Sequence, residues 1–130
     1  MPPYTALVTL LAVVLYFAFA LRVARARGRF GVGLPATSGN ADFERIFRIH
    51  QNTNEWLLVF LVPLWLCALS LSDVGAAALG VVWLIGRIIY AVGYTQAVEK
   101  RLPGFFIQSS ACILLFLWAT IGVARHLLGG

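Results

Sequence analysis

The sequence predicts an all-α integral membrane protein, a bundle of four transmembrane helices in a single domain. Its composition is the first observation, because 61% of the 130 residues are hydrophobic and 12% are charged, whereas a soluble domain is about 25% charged. The second is the presence of apolar stretches of about 20 residues, which is the length needed to cross a bilayer. A chain of this length cannot bury so much apolar surface in a core of its own. Lipid is therefore expected to cover most of that surface.

The helices are expected at about residues 4–27, 41–71, 74–101 and 103–127. The first contains the apolar run Tyr4–Leu21. No basic segment precedes it and no A-x-A site ends it, so it is predicted to be a retained span rather than a signal peptide. Asn40 can cap the second helix. Ser72 and Asp73 form a short connection, which makes the second and third helices an antiparallel hairpin, and Pro103 opens the fourth helix.

Basic residues predict the orientation of the chain in the membrane. The turn between the second and third helices contains no basic residue. Arg125 near the C-terminus weakly favours the opposite orientation. The positive-inside rule then places the 1–2 and 3–4 connections in the cytoplasm and both termini across the membrane. The formal charge of +5 is therefore attributed to contact with anionic lipid headgroups and not to nucleic acid. The residues concerned in the two connections are Arg22, Arg25, Arg27, Arg29, Arg45, Lys100 and Arg101.

Metal and nucleotide chemistry find no support in the sequence. Its two cysteines, Cys67 and Cys112, each lie inside an apolar stretch without a neighbouring ligand, and they are interpreted as small core residues. Walker loops, zinc-binding spacings and dinucleotide fingerprints are absent from the sequence. No metal is expected.

Two polar stripes are the candidate site, because ionisable residues inside a membrane are costly and by default mark a function. At about 100° per residue, the polar residues of the second helix fall within a sector of about 80° and those of the third helix within about 60°. Stripes on adjacent antiparallel helices can face one cavity. Their members are Arg45, Arg48, Asn52 and Glu55 on the second helix, and Arg87, Tyr90, Tyr94 and Arg101 on the third.

His50 lies about 160° from Asn52 around the second helix, so it is expected to face another helix or another subunit. A structural alternative for the stripes is that Arg45, Arg48 and Arg101 extend to lipid headgroups. Glu55 would then only neutralise Arg48 or Arg87. Against this alternative, headgroup contact does not account for two tyrosines, an asparagine and a carboxylate in the same sectors. A ligand with both ammonium and carboxylate groups would use all of them.

The polar stripes belong to two longer sequence motifs. They are Phe43-Glu44-Arg45-x-x-Arg48-x-x-x-Asn52-x-x-Glu55, followed by Leu64-Trp65, and Arg87-x-x-Tyr90-x-x-Gly93-Tyr94 with Arg101. Both motifs resemble those of a known family, the membrane-associated proteins in eicosanoid and glutathione metabolism (MAPEG). The resemblance extends from Arg27 through the fourth helix and implies a homotrimer of four-helix subunits, with glutathione bound between neighbours near the cytoplasmic side.

The resemblance also implies roles for individual residues. Arg101 corresponds to the arginine that activates the glutathione thiol, with Tyr94 beside it. A thiol near the reference pKa of about 8.5 is mostly protonated at about pH 7, and a fixed cation favours the nucleophilic thiolate. The implied glutathione contacts are Arg48, Asn52, Glu55, Tyr90, Tyr94 and Arg101 from one subunit, and Arg27 and His50 from its neighbour.

Two departures narrow the expected activity. Gly28 stands where leukotriene C synthases carry a second arginine, and Leu102 stands where prostaglandin E synthases carry a serine. The remaining expectation is a microsomal type of glutathione transferase that conjugates glutathione to hydrophobic electrophiles dissolved in the membrane, with peroxidase activity toward lipid hydroperoxides as a second reaction. Glycines 86 and 93 are expected to allow close approach of helices in the trimer.

Two other classes remain as alternatives. A non-catalytic lipid-binding scaffold resembling the lipoxygenase-activating protein is the first, but that relative lacks the counterparts of Arg48 and Arg101. An ion or solute transporter is the second, and the sequence lacks the paired broken helices and the inverted repeat of such folds.

Overall fold

The computed structural model describes residues 1–129, and within them the chain is helical with no β-strand. The helices are α1 (Pro3–Phe30), α2 (Ala41–Ser70), α3 (Asp73–Gln96) and α4 (Leu102–Leu127), with a short 3-10 helix at Val98–Arg101 before α4. Over this part of the chain four helices are long and apolar enough to cross a membrane. The predicted all-helical fold with four such helices is confirmed.

Side-chain caps fix where two of the helices begin. The Asn40 side chain accepts a hydrogen bond from the backbone N–H of Phe43 at 3.0 Å, as the sequence predicts for the start of α2. Ser72 does the same for Gly75 at 2.9 Å, so a connection of two residues both ends α2 and starts α3. These caps satisfy backbone donors that would otherwise lie unpaired at the membrane surface.

The third helix is shorter than the sequence predicted. It ends at Gln96, Ala97 is extended (φ −162°, ψ 151°), and residues 98–101 form the 3-10 helix. A helix continuing to residue 101 would have left a single residue to reverse the chain before residue 103, whereas connections between helices usually need about 2–8 residues. Arg101 therefore lies on the connection, and its predicted position on the helical wheel of α3 is wrong.

The core lies among α2, α3 and α4, and α1 packs on α2 and α3. The rings of Phe60 and Trp83 stack at its centre, with centroids 3.9 Å apart. Gly86 abuts the backbone of Gln108 on α4, and Gly93 abuts the carbonyl of Lys100. Both glycines thus serve close packing within one chain, so the expectation that they mediate contacts between subunits is not supported.

Large apolar side chains cover the outside of the bundle, as expected for helices surrounded by lipid. Phe17 of α1 is 62% exposed and Leu58 of α2 is 71% exposed. At the end of the bundle where the N-terminus lies, the Asp73 carboxylate accepts hydrogen bonds from the backbone N–H groups of Tyr4 and Thr5, at 3.1 and 2.8 Å. This contact holds the start of α1 against the start of α3.

Candidate functional site

The candidate site begins with a buried arginine that joins α3 to α2. Arg87 is fully buried, and its Nη1 donates to Asn52 Oδ1 at 2.8 Å while its Nη2 donates to Thr53 Oγ1 at 2.6 Å. Thr53 in turn donates to the Ile49 carbonyl at 2.7 Å. The two polar stripes therefore meet, and the planar guanidinium fork fixes the orientation of Asn52.

Two tyrosines and a second arginine extend this contact toward the 3-10 helix. The guanidinium carbon of Arg87 lies 4.3 Å from the centroid of the Tyr90 ring. The Tyr90 and Tyr94 rings are 5.5 Å apart, and the guanidinium carbon of Arg101 is 6.0 Å from the Tyr94 centroid. The result is a row with a cation at each end and two phenols between them, which we call the cation–tyrosine row (Arg87, Tyr90, Tyr94 and Arg101).

Arg101 reaches the row from the 3-10 helix. Its Nη1 donates to the Val98 carbonyl at 2.7 Å, and it remains partly exposed. The guanidinium therefore lies over the Tyr94 ring, and its other N–H groups stay available to a ligand. The geometry supplies an anchored positive charge beside a phenol, an arrangement that can bind and stabilise an anion.

Arg48 and Glu55 lie on the same sector of α2 as Asn52, and both are exposed. Arg48 lies one turn before Asn52, where an exposed guanidinium can bind a carboxylate. Glu55 lies one turn beyond Asn52, where an exposed carboxylate can accept an ammonium group. The sector of α2 around Asn52 thus presents a cation on one side of it and a carboxylate on the other.

Arg27 and His50 are not brought to this row within a single chain. The His50 ring stacks on Tyr16 of α1, with centroids 4.7 Å apart and an interplanar angle of 17°. Arg27 donates to the Ala36 carbonyl at 2.7 Å and lies 5.1 Å from the Phe43 ring. The expectation that His50 faces another helix is met by α1 of its own chain.

Two parts of the site were not found from the sequence. Thr53 lies about 100° from Asn52 on the helical wheel, outside the stripe, so its role as the second acceptor of Arg87 was missed. The rings of Trp56 and Phe105 meet edge to face at 5.9 Å, and Phe105 packs against the buried cluster that contains Tyr90. Phe105 lies on α4, and nothing in its spacing links it to α2.

The most voluminous apolar cavity described, of about 680 Å³ between α2 and α4, contains none of the predicted site residues. Its α2 side begins at Leu58, one turn beyond Glu55. Cys67 and Cys112 are buried free thiols. Among residues 1–129, no three His, Cys, Asp or Glu side chains are grouped so that they could hold a metal ion.

Comparison with known proteins identifies the class of this bundle. The sequence matches the MAPEG family over residues 5–121, nearly the whole chain. The chain belongs to the MAPEG family, and it is a multi-pass integral membrane protein. The family resemblance inferred from the two motifs is thereby confirmed.

Three relatives indicate the range of similarity. An uncharacterized protein of Synechocystis sp., sll1147, is 48% identical over 124 residues, which cover 95% of this chain and 90% of that protein. Microsomal glutathione S-transferase 2 of Homo sapiens is 38% identical over 110 residues, covering 85% of this chain and 75% of the human protein. Leukotriene C4 synthase of Rattus norvegicus is 38% identical over 125 residues, which cover 96% of this chain and 83% of the rat protein.

Proposed function

We propose that this protein is a membrane-embedded glutathione transferase that conjugates glutathione to hydrophobic electrophiles, and that it also reduces lipid hydroperoxides. The observation that carries the proposal is the cation–tyrosine row, whose Arg87 end is bonded to Asn52 and whose Arg101 end lies over Tyr94. Relatives named as a glutathione S-transferase and as leukotriene C4 synthase support the same chemistry.

The row provides what a glutathione thiol needs in order to react. Arg101 is assigned the stabilisation of the thiolate, and the Tyr94 hydroxyl donates a hydrogen bond beside it. The thiol loses its proton to water, sulfur forms a bond to the electrophilic carbon, and the leaving group departs with the electron pair of the broken bond. In the peroxidase reaction two glutathiones become one disulfide, while the hydroperoxide becomes an alcohol and water.

The remaining residues are assigned to binding the ends of glutathione. Glu55 accepts the ammonium of the γ-glutamyl group, and Arg48 binds a carboxylate, because each offers an exposed charge of the opposite sign. Asn52 donates with its amide N–H groups, since its oxygen is already bonded to Arg87. Tyr90, which lies in the row between Arg87 and Tyr94, is also assigned to binding glutathione. None of these contacts is to the sulfur, so they set affinity more than rate.

We further propose a homotrimer in which a neighbouring subunit supplies Arg27 and His50. Both lie away from Asn52 in a single chain, and His50 is on the opposite side of α2 from the row. A site assembled between subunits would use both sides of this helix. The 1–2 and 3–4 connections, with their basic residues, are assigned to the cytoplasm.

The direct test is a conjugation assay with glutathione and chlorodinitrobenzene on the detergent-solubilised full chain. Cumene hydroperoxide replaces the electrophile in a second assay for peroxidase activity. The proposal requires turnover that depends on glutathione and falls in the Arg101→Leu variant. A folded protein that binds glutathione but turns over neither substrate would contradict the transferase assignment.

A non-catalytic lipid-binding scaffold is the second candidate, and the apolar cavity between α2 and α4 favours it. Its lining, which includes Leu58, Val62 and Phe116, can accommodate an acyl chain. A scaffold would bind fatty acid without glutathione and would be unaffected by loss of the Arg101 guanidinium. Lipid binding measured with and without glutathione separates the two.

A further inference from the structure

A second basic site lies on the opposite side of α1 from Arg27. Arg22, Arg25 and Arg29 fall within a sector of about 60° around α1, whereas Arg27 lies about 140° from Arg22. The three line a pocket of about 380 Å³ together with Thr95 of α3. This volume is within the range of about 300–1,000 Å³ typical of small-molecule sites, and the function proposed above makes no use of it.

Arg22 is held in the wall of this pocket. Its Nη2 donates to Thr95 Oγ1 at 3.0 Å, while Thr95 donates to the Ala91 carbonyl at 2.7 Å. The threonine hydroxyl is therefore committed as donor and acceptor, and Arg22 joins α1 to α3 with its other N–H groups still available. A pocket wall fixed in this way does not have to be ordered when a ligand binds.

The positive charge of the pocket is not neutralised by the protein. Among the described residues that line it, none is acidic. Within residues 1–129, an ion pair forms between Arg45 and Asp42, and neither residue lines the pocket. Arg25 and Arg29 are exposed, so their guanidinium groups can form paired hydrogen bonds to an anion with several oxygens.

The position of the pocket indicates what kind of anion it meets. Arg22 directly follows the apolar run that ends at Leu21, at the depth where lipid headgroups begin. Phe30 and Ile46 form an apolar part of the lining. A site with cations on one side and apolar groups on the other suits a phosphate that is attached to an acyl-bearing glycerol.

We propose that Arg22, Arg25 and Arg29, with Thr95 holding Arg22 in place, form a binding site for a phosphate ester, occupied by the headgroup of an anionic phospholipid. The site is independent of the glutathione site, since it shares no residue with it. It would anchor the cytoplasmic end of α1 to one bound lipid and to α3 at the same time.

The test is native mass spectrometry of the delipidated full chain, with three ligands titrated separately. These are phosphatidylglycerol, phosphatidylcholine and soluble glycerol phosphate. The proposal requires a saturable phosphatidylglycerol adduct that binds at least about tenfold more tightly than phosphatidylcholine, whose phosphate is offset by its choline. Equal binding of the two lipids would overturn it. Glycerol phosphate binding as tightly as phosphatidylglycerol would assign the pocket to a free phosphate ester and overturn the lipid as occupant.

Matched variants separate the pocket from general charge. The double variant Arg25→Gln with Arg29→Gln should weaken phosphatidylglycerol binding by about tenfold to thirtyfold, since each surface arginine contributes about fivefold. The control Lys100→Gln with Arg125→Gln removes the same charge elsewhere and should change binding by less than about twofold. An equal loss in both would show attraction by net charge alone.

A third variant covers the case in which the double variant fails to fold. Thr95→Val retains all three arginines but removes the partner of Arg22, and it should weaken phosphatidylglycerol binding by about twofold to fivefold. Thermal unfolding in detergent establishes that each variant is folded. Unchanged lipid affinity in folded Thr95→Val would contradict the proposed geometry.

Discussion

Arg87 of α3 donates a hydrogen bond through Nη1 to Oδ1 of Asn52 on α2, at 2.8 Å, from a fully buried position. Because a guanidinium can only donate, the acceptor must be the amide oxygen, and the Asn52 N–H groups are left for another partner. Thr53 accepts from the same guanidinium. The buried arginine thereby determines which part of Asn52 a ligand meets.

Arg87→Lys should weaken glutathione binding more than it slows turnover. An ammonium carries the charge but lacks the planar fork that bonds Asn52 and Thr53 together. We expect KM for glutathione to rise about threefold to tenfold with kcat changed by less than about twofold. Arg45→Lys, at an arginine paired with Asp42, is the control and should leave both constants unchanged. A large fall in kcat at constant KM would place Arg87 in the chemical step.

Glu55→Gln should also raise KM for glutathione with little change in kcat. The proposed contact is to an ammonium remote from sulfur, and loss of binding that is equal in ground and transition states affects KM alone. Glu44→Gln removes an exposed carboxylate from the first turn of the same helix and serves as the control. Steady-state kinetics at varied glutathione concentration measure KM and kcat for both variants. Normal KM with a collapsed kcat would reassign Glu55 to catalysis.

Gly104→Ala should destabilise the protein, because a methyl group there would collide with the backbone of Tyr90 on α3. Overpacking of this kind typically costs about 1–3 kcal/mol, which should appear as a lower melting temperature in detergent. Gly28→Ala is the matched control, since no atom lies within 4 Å of its added methyl group. It should be neutral or stabilise α1 by about 0.5–1 kcal/mol. Equal melting temperatures for the two variants would contradict the close contact.

The sequence was sufficient to predict four helices and the contact between α2 and α3 at the candidate site. Hydrophobic stretches and the Asn40 cap located four helices, and the 3.6-residue period placed Asn52 and Arg87 on stripes that meet. Periodicity could not place the end of α3, because the limit is set by the room needed to turn into α4. It also missed Thr53 and Phe105, whose roles depend on how α2 and α4 pack against α3 and not on local spacing.

A site shared between subunits predicts complementation between two inactive variants. With glutathione well below its KM, where loss of binding lowers the rate directly, Arg27→Leu and Arg101→Leu are each expected to lose most activity as homotrimers. When they are co-expressed, about a quarter of the sites combine an intact Arg27 from one subunit with an intact Arg101 from the next. Activity per subunit should recover to roughly that fraction of the wild-type value.

The control for complementation pairs two residues assigned to the same subunit. Co-expressed Asn52→Ala and Arg101→Leu can form no intact site, so no recovery is expected. Native mass spectrometry in mild detergent measures the subunit number and the mixing. Recovery of activity in the control pair would contradict the proposal that Arg27 is contributed by a neighbour. So would an absence of recovery when Arg27→Leu is co-expressed with Arg101→Leu.

The pH dependence of conjugation should change when Arg101 is removed. In Arg101→Leu the bound thiol is expected to regain a pKa near the reference value of about 8.5, so at about pH 7 the rate should fall by roughly tenfold to a hundredfold. The rate should recover in part toward about pH 9, as the thiol ionises without help. Loss of the bond to the Val98 carbonyl should cost little stability, because Arg101 is partly exposed. Lys100→Leu, beside it on the same 3-10 helix, should keep the parent profile.

The most direct measurement of the central claim is the ultraviolet absorbance of the glutathione thiolate, at about 240 nm, as glutathione is titrated into the full chain at about pH 7. We expect the parent protein and Lys100→Leu to show saturable thiolate absorbance. Arg101→Leu should show little at equal glutathione occupancy, determined by equilibrium dialysis. Undiminished thiolate absorbance in folded, glutathione-saturated Arg101→Leu would contradict the assignment and make Arg101 a contact to lipid headgroups.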